Sequence, residues 1–158
     1  MGLDFDFSML DAQGVLDLAV YVEEEAEDNY DQLAGWMDAA GNEDAAQFFR
    51  RMAVRERRHR EQITTRRREL FGDTPPKYSR NIAWEVEAPD YDALGRSPTL
   101  TDAFDLAMGA EQRAHDYYAG ALEYADDDRV SELLEWLRKA EMEHQRLLDE
   151  EKERLIAG

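Results

Sequence analysis

The chain has no cysteine. That excludes disulfides, thiolate metal sites, iron–sulfur clusters and four-cysteine iron sites, and it leaves the redox compartment open. Lysine is almost as scarce, with only Lys77, Lys139 and Lys152. Against them stand 37 aspartates and glutamates, for a formal net charge of −18. Such a surface argues against nucleic acid and anionic membranes as general partners. A salt-rich cytoplasm or simple solubility accounts for the acidity, and attraction of metal cations is the sharper reading. No apolar run approaches the roughly 20 residues of a spanning helix. Residues 1–10 carry Asp4 and Asp6 and lack a basic stretch followed by an apolar one, so no signal peptide is read. The expectation is a soluble, cytoplasmic protein.

What is present is enough for one core. With 158 residues, 43% of them hydrophobic, a single domain over 1–158 is expected. Three-and-four spacing predicts four helices. The first, about 12–40, aligns Leu16, Ala19, Val20, Ala26, Tyr30, Leu33, Ala34 and Met37 and ends at Gly41-Asn42. The second, about 43–71, aligns Ala45, Phe49, Met52 and Ile63 and stops before Gly72 and Pro75-Pro76. The third, about 102–125 with Thr101 as N-cap, aligns Phe104, Ala107, Met108, Ala114, Tyr118, Ala121 and Leu122. The fourth, about 128–156, aligns Val130, Leu133, Leu134, Leu137, Leu148 and Leu155. Short turns make helices 1–2 and 3–4 antiparallel hairpins. The connector 72–100 holds all four prolines and is long enough to run the length of a helix, so helices 2 and 3 can be parallel. Its Ile82, Trp84, Val86 and Tyr91 suggest packing on the bundle. The fold class expected is all-α, a four-helix bundle of two hairpins joined by a long crossover.

Each stripe is interrupted by charge. Glu23 falls between Val20 and Ala26, Glu56 and His59 between Met52 and Ile63, Glu111 between Met108 and Ala114, and Glu141 and His144 between Leu137 and Leu148. Each Glu-x-x-His pair lies one turn apart on one helix face. Burying one unpaired carboxylate costs several kcal/mol, and four together repel, so protons or cations must accompany them. Two divalent metals balance four glutamates, and neutral imidazoles complete an O/N ligand set suited to iron or manganese, with zinc able to substitute. A lone Glu-x-x-His on an acidic helix is usually a solvated pair. Here an internal repeat adds weight: Glu23-x-x-Ala26-x-x-x-Tyr30 recurs as Glu111-x-x-Ala114-x-x-x-Tyr118, and each precedes a Glu-x-x-His on the next helix.

On these motifs the four helices resemble the rubrerythrin-like branch of the ferritin-like superfamily. The resemblance implies a ferritin-like bundle with a dinuclear iron centre. Glu23 and Glu111 would be terminal carboxylates, Glu56 and Glu141 the bridging pair, and His59 and His144 one imidazole per metal. It implies an oxidoreductase reducing peroxide or dioxygen, or a ferroxidase or iron-storage protein. Rubrerythrins usually append a four-cysteine domain, absent here, so electrons would come from an external donor. They also usually carry a glutamate one turn before the third-helix ligand, where this chain has Met108. The remaining four glutamates and two histidines are equally similar to the ferroxidase centre of bacterioferritin. A metal-stabilised bundle without turnover is the non-catalytic alternative.

Several residues keep two readings. Tyr30 and Tyr118, two turns from Glu23 and Glu111, either fill the core or donate hydrogen bonds to the opposite ligands, or relay electrons. His115 either edges the site or lies outside it, and Met52 either packs or ligates haem between subunits. The nine arginines of 50–68 lack interleaved aromatics for base stacking, so pairing with the acidic stretch 23–31, or with a second subunit, is expected. Phe5, Phe7, Met9 and Leu10 suggest an N-terminal arm, 1–11, covered by a partner in a homodimer or larger homo-oligomer.

Overall fold

The computed structural model describes residues 7–78 and 99–157. A short 3-10 turn, Phe7–Met9, leads into α1 (Ala12–Ala39), α2 (Glu43–Phe71), α3 (Leu100–Tyr124) and α4 (Asp128–Ala157). No strand occurs among the described residues. None of these helices is long and apolar enough to cross a membrane.

The ends of the helices follow local chemistry. Asp11 caps α1 by accepting from the Gly14 N–H at 2.8 Å. At the α1–α2 turn Gly41 takes φ +77°, and Asn42 N–H reaches back to Met37 O at 2.7 Å. Gly72, at φ +68°, closes α2. The expected cap of α3, Thr101, is corrected to Thr99. Its hydroxyl accepts from Asp102 N–H while the Asp102 carboxylate accepts from Thr99 N–H, a reciprocal capping box. Threonine at 99 wins because aspartate stands three residues later, where the box requires an acceptor.

Cross-helix contacts fix the topology. Asp38 meets Arg50 and Asp17 meets Arg67, so α1 and α2 are antiparallel. Glu23 meets Tyr118 and Tyr30 meets Glu111, so α1 and α3 are antiparallel. Helices α2 and α3 therefore run parallel, as the crossover reading requires, and Asp105 with Lys152 sets α4 antiparallel to α3. The connector residues Ile82, Trp84, Val86 and Tyr91 lie outside the described residues.

The core is divided. One apolar cluster gathers Leu16, Val22, Ile63, Tyr117, Tyr118, Leu134 and Leu137; another gathers Tyr30, Met37, Phe49, Met52, Phe104 and Leu148. Each helix contributes to both, and the glutamates and histidines lie between them in every chain segment. Met52 is 1% exposed among these aromatics and is a packing residue.

The expected partner-covered arm is corrected at Phe7. That ring is buried in its own chain, against Tyr117 at 5.5 Å and Tyr124 at 6.4 Å between centroids. Gly120 makes room, since a Cβ there would lie 2.5 Å from the Phe7 ring. Leu10 is half-buried beside it, and Phe5 lies outside the described residues. Sequence periodicity could not place Phe7, because what buries it is a cavity left by a glycine on a distant helix.

Arginine pairing follows the expectation in part. Arg57 and Arg60 both reach Glu27 on α1, at 2.8 and 2.7 Å. Arg67 pairs with Asp17 and also donates to Thr74 O at 2.7 Å, while Asp17 accepts from Lys77 N–H at 2.9 Å. This cluster ties the start of the connector to α1.

Candidate metal centre

Each helix carries its charged residue near its middle, where the backbone has no free polar groups to solvate it. There the six expected residues meet. Glu23, Glu56, His59, Glu111, Glu141 and His144 are all buried. Their ligand atoms form two overlapping groups of four, Glu23 with Glu56, His59 and Glu141, and Glu111 with Glu56, Glu141 and His144, while Glu56, His59 and His144 make a group of three. Within each group one atom per residue lies within 4.8 Å of all the others. Glu56 and Glu141 belong to both groups of four.

The distances are those of atoms facing a shared centre. His59 Nδ1 is 3.8 Å from Glu23 Oε1 and 3.7 Å from Glu56 Oε2. His144 Nδ1 is 2.8 Å from Glu56 Oε1, 3.3 Å from Glu111 Oε2 and 3.7 Å from Glu141 Oε2. The two imidazoles lie nearly parallel, 5.1 Å apart. Hydrogen bonding does not account for this convergence. Glu23 Oε2, Glu56 Oε2, Glu141 Oε1 and His59 Nδ1 are buried and make no hydrogen bond, and Glu56 Oε1 faces only His144 Nδ1. Four unsatisfied polar atoms in one small volume are costly unless something positive binds them. Carboxylate oxygens and imidazole nitrogens are the donor set of iron or manganese, so the residues fit such ions.

Electrostatics divides the four carboxyls. Burial, then the charges of Glu23 and Glu111, pushes Glu56 up to about 8. Burial with the charges of Glu111 and Glu56 drives Glu141 well above its ordinary value. Burial also acts on Glu111, but the His144 charge beside it wins and holds it down at about 2. Burial opposes the charge on Glu23 too, and contacts with Glu56, His59 and Tyr118 outweigh it and lower its pKa. For the histidines burial disfavours the cation, yet Glu23 and Glu56 carry His59 up to about 9, and Glu111 and Glu56 raise His144 well above its ordinary value. Metal-free, the two shared carboxyls hold protons while the two outer ones pair with imidazolium.

The tyrosines take the hydrogen-bonding role. Tyr118 O–H donates to Glu23 Oε1 at 2.8 Å, and Tyr30 O–H donates to Glu111 Oε1. Burial and those carboxylates raise both phenols well above their ordinary value, so both remain protonated donors. His115 stands outside the cage, partly exposed and 3.4 Å from Asp116. Met108 is half-buried one turn before Glu111 and packs on the apolar cluster containing Phe104.

One neighbour was not anticipated from the sequence. Trp136 meets the His59 ring edge-on, with centroids 5.1 Å apart at 78°. Its position two turns before His144 was the available signal, and only the packing of α4 on α2 makes it specific.

Comparison with known proteins gives a consistent picture. The rubrerythrin family model matches residues 14–152. An uncharacterized conserved protein from Magnetospirillum magnetotacticum is similar in structure, with a TM-score of 0.76 and 30% identity over 90% of this chain and 93% of that one. A hypothetical protein from Pyrococcus furiosus shares the fold, with a TM-score of 0.68 and 22% identity over 94% of this chain and 92% of the other. No curated protein matches.

Proposed function

The chain belongs to the rubrerythrin family, and on that premise we propose that it is a non-haem diiron oxidoreductase that reduces peroxide or dioxygen. The observation that carries the reading is the pair of four-residue groups sharing Glu56 and Glu141, with unsatisfied atoms turned toward one another. Glu23 and His59 would serve one iron, Glu111 and His144 the other, and the shared glutamates both. Four carboxylates and two divalent ions leave the buried layer neutral. Manganese or zinc could take the same ligands.

These residues would hold two ferrous ions, which would supply the two electrons that reduction of peroxide to water consumes. The chain's own part is positioning and proton control. Tyr118 occupies Oε1 of Glu23 and leaves Oε2 for an ion. Tyr30 occupies Oε1 of Glu111 in the same way, and Oε2 of that carboxylate faces His144 Nδ1 at 3.3 Å. Burial and the neighbouring carboxylates favour the protonated forms of Glu56 and Glu141, which would give up those protons to bind metal. The apolar clusters on either side keep bulk water from the layer.

Re-reduction would draw on an electron donor, which we take to be external. Met108 favours a second reading. It leaves a symmetric set of four glutamates and two histidines, the set of a ferroxidase that hands its iron on. A homo-oligomer, dimer or larger, in the cytoplasm is the assembly we propose, without a nucleic-acid or membrane partner.

Anaerobic loading with ferrous iron tests the site. About two ions per chain are expected, with a diferric absorption band after mixing with oxidant. Parallel mixing with peroxide and with dioxygen separates the two readings by rate. Retention of the band in Glu56→Ala and Glu141→Ala would remove the assignment.

A further inference from the structure

The six cage residues are unequally enclosed. Five are 0–2% exposed, whereas His59 is 8% exposed. Along the bundle axis both ways out are packed, by Ile63, Tyr118 and Leu137 at one side and by Phe49, Met52 and Phe104 at the other. On the α2/α4 face the His59 ring is covered edge-on by Trp136, which is itself 43% exposed. Outside that indole lies an open cleft of about 490 Å³ lined by Arg58, Glu61, Thr65, Arg66, Leu133 and Trp136.

We propose that this cleft is the entrance through which divalent cations reach the cage, with small oxidants following the same way, and that Trp136 is the ring that opens and closes it. The inference rests on the cage binding metal. Opening the bundle along its axis separates interlocked aromatic rings. Opening at Trp136 turns one half-exposed side chain about its own bonds, a motion that is fast for exposed residues. His59 is then the first ligand an arriving ion meets. Arg58 and Arg66 are balanced in the cleft by Glu61 and by Glu69, which also lines it, so no net charge repels a hydrated cation or traps it on the way in.

A gate alters the barrier and leaves the end states alone, and the test uses that property. Metal-free protein is mixed with Co²⁺ in stopped flow, its visible absorption reporting O/N ligation, and loaded protein is stripped with excess chelator. Wild type is compared with Trp136→Phe, Trp136→Leu and Trp136→Ala, each checked for helicity. Uptake and release rates should rise together as the side chain shrinks, by about tenfold for alanine, with Kd held within about twofold. Met142→Ala, an exposed change on the same helix, should move neither rate. Faster release with a weaker Kd would mean that Trp136 only props His59, and would overturn the gate. Unchanged rates across the series would overturn it too, and the phenylalanine variant alone decides if the smaller ones do not fold. Wild type that binds no cobalt fails at the metal site itself, an outcome distinct from the others, and the entrance falls with it.

Discussion

Tyr118 on α3 donates its phenolic proton across the bundle to Glu23 on α1 at 2.8 Å. Tyr30 on α1 returns the contact to Glu111 on α3. In both cases tyrosine follows the glutamate of its own helix by seven residues, so each two-turn unit clamps the other's carboxylate. Tyr118→Phe removes one donor and leaves Glu23 Oε1 buried with only the longer contact to His59 Nδ1, at 3.8 Å. Metal-free protein should lose about 1.5–3 kcal/mol in denaturant unfolding, as for hydrogen bonds to charged groups. An unfolding midpoint equal to wild type would show that the clamp contributes nothing.

The pH dependence of the metal-free protein follows from the divided carboxyls. Glu56 is raised from 4.5 to about 8 and His59 from 6.5 to about 9. Protons held more tightly in the folded state stabilise it fully below the unfolded values, and that stability is lost as pH rises through about 8 and 9. Glu111, lowered from 4.5 to about 2, acts on the other limb, stabilising above 4.5 and losing that effect as pH falls toward 2. Calorimetric Tm of metal-free protein should therefore fall on the alkaline side. Metal-loaded protein should keep its Tm there, since ions replace those protons. Parallel alkaline losses in the two forms would contradict this.

Stability and metal binding should part company at Glu56. At about pH 9 the metal-free protein carries Glu56 as a buried anion among other anions, an unfavourable state. Glu56→Gln removes that charge, so the metal-free variant should be more stable than wild type at this pH while its metal affinity drops by tenfold or more. Glu111→Gln should lower both, because Glu111 is stabilised as the anion beside His144. The opposite signs, read by unfolding of the two metal-free variants, distinguish shared from outer carboxylates.

Much of this was legible in the chain. The four helices, their parallel crossover and the six cage residues follow from periodicity and from glutamates placed where leucine or alanine would be expected. Other features depend on how one helix is rotated and offset against another. The Trp136 contact with His59 and the Asp17 cluster around Arg67 are of this kind. The Thr99 cap was readable from Asp102 three residues on, and Thr101 competed with it only because both are threonine.

Phe7 and Gly120 offer a clean test of packing against propensity. Alanine at 120 favours the helix by up to about 1 kcal/mol, but its Cβ meets the Phe7 ring at 2.5 Å. Gly120→Ala alone should destabilise by about 1–3 kcal/mol, as overpacking does. In a Phe7→Ala background the same change should become neutral or stabilising. A double-mutant cycle with no coupling would place Phe7 away from Gly120 in solution.

The charged layer separates two apolar clusters, each built from all four helices. Metal-free, each half can loosen without fully disturbing the other, so amide exchange should resolve two protection levels along every helix, changing at Glu23, Glu56, Glu111 and Glu141. Ions bridging the four helices would merge the halves into one cooperative unit. The metal centre would then set how many independent parts the bundle has, as well as what it reacts with.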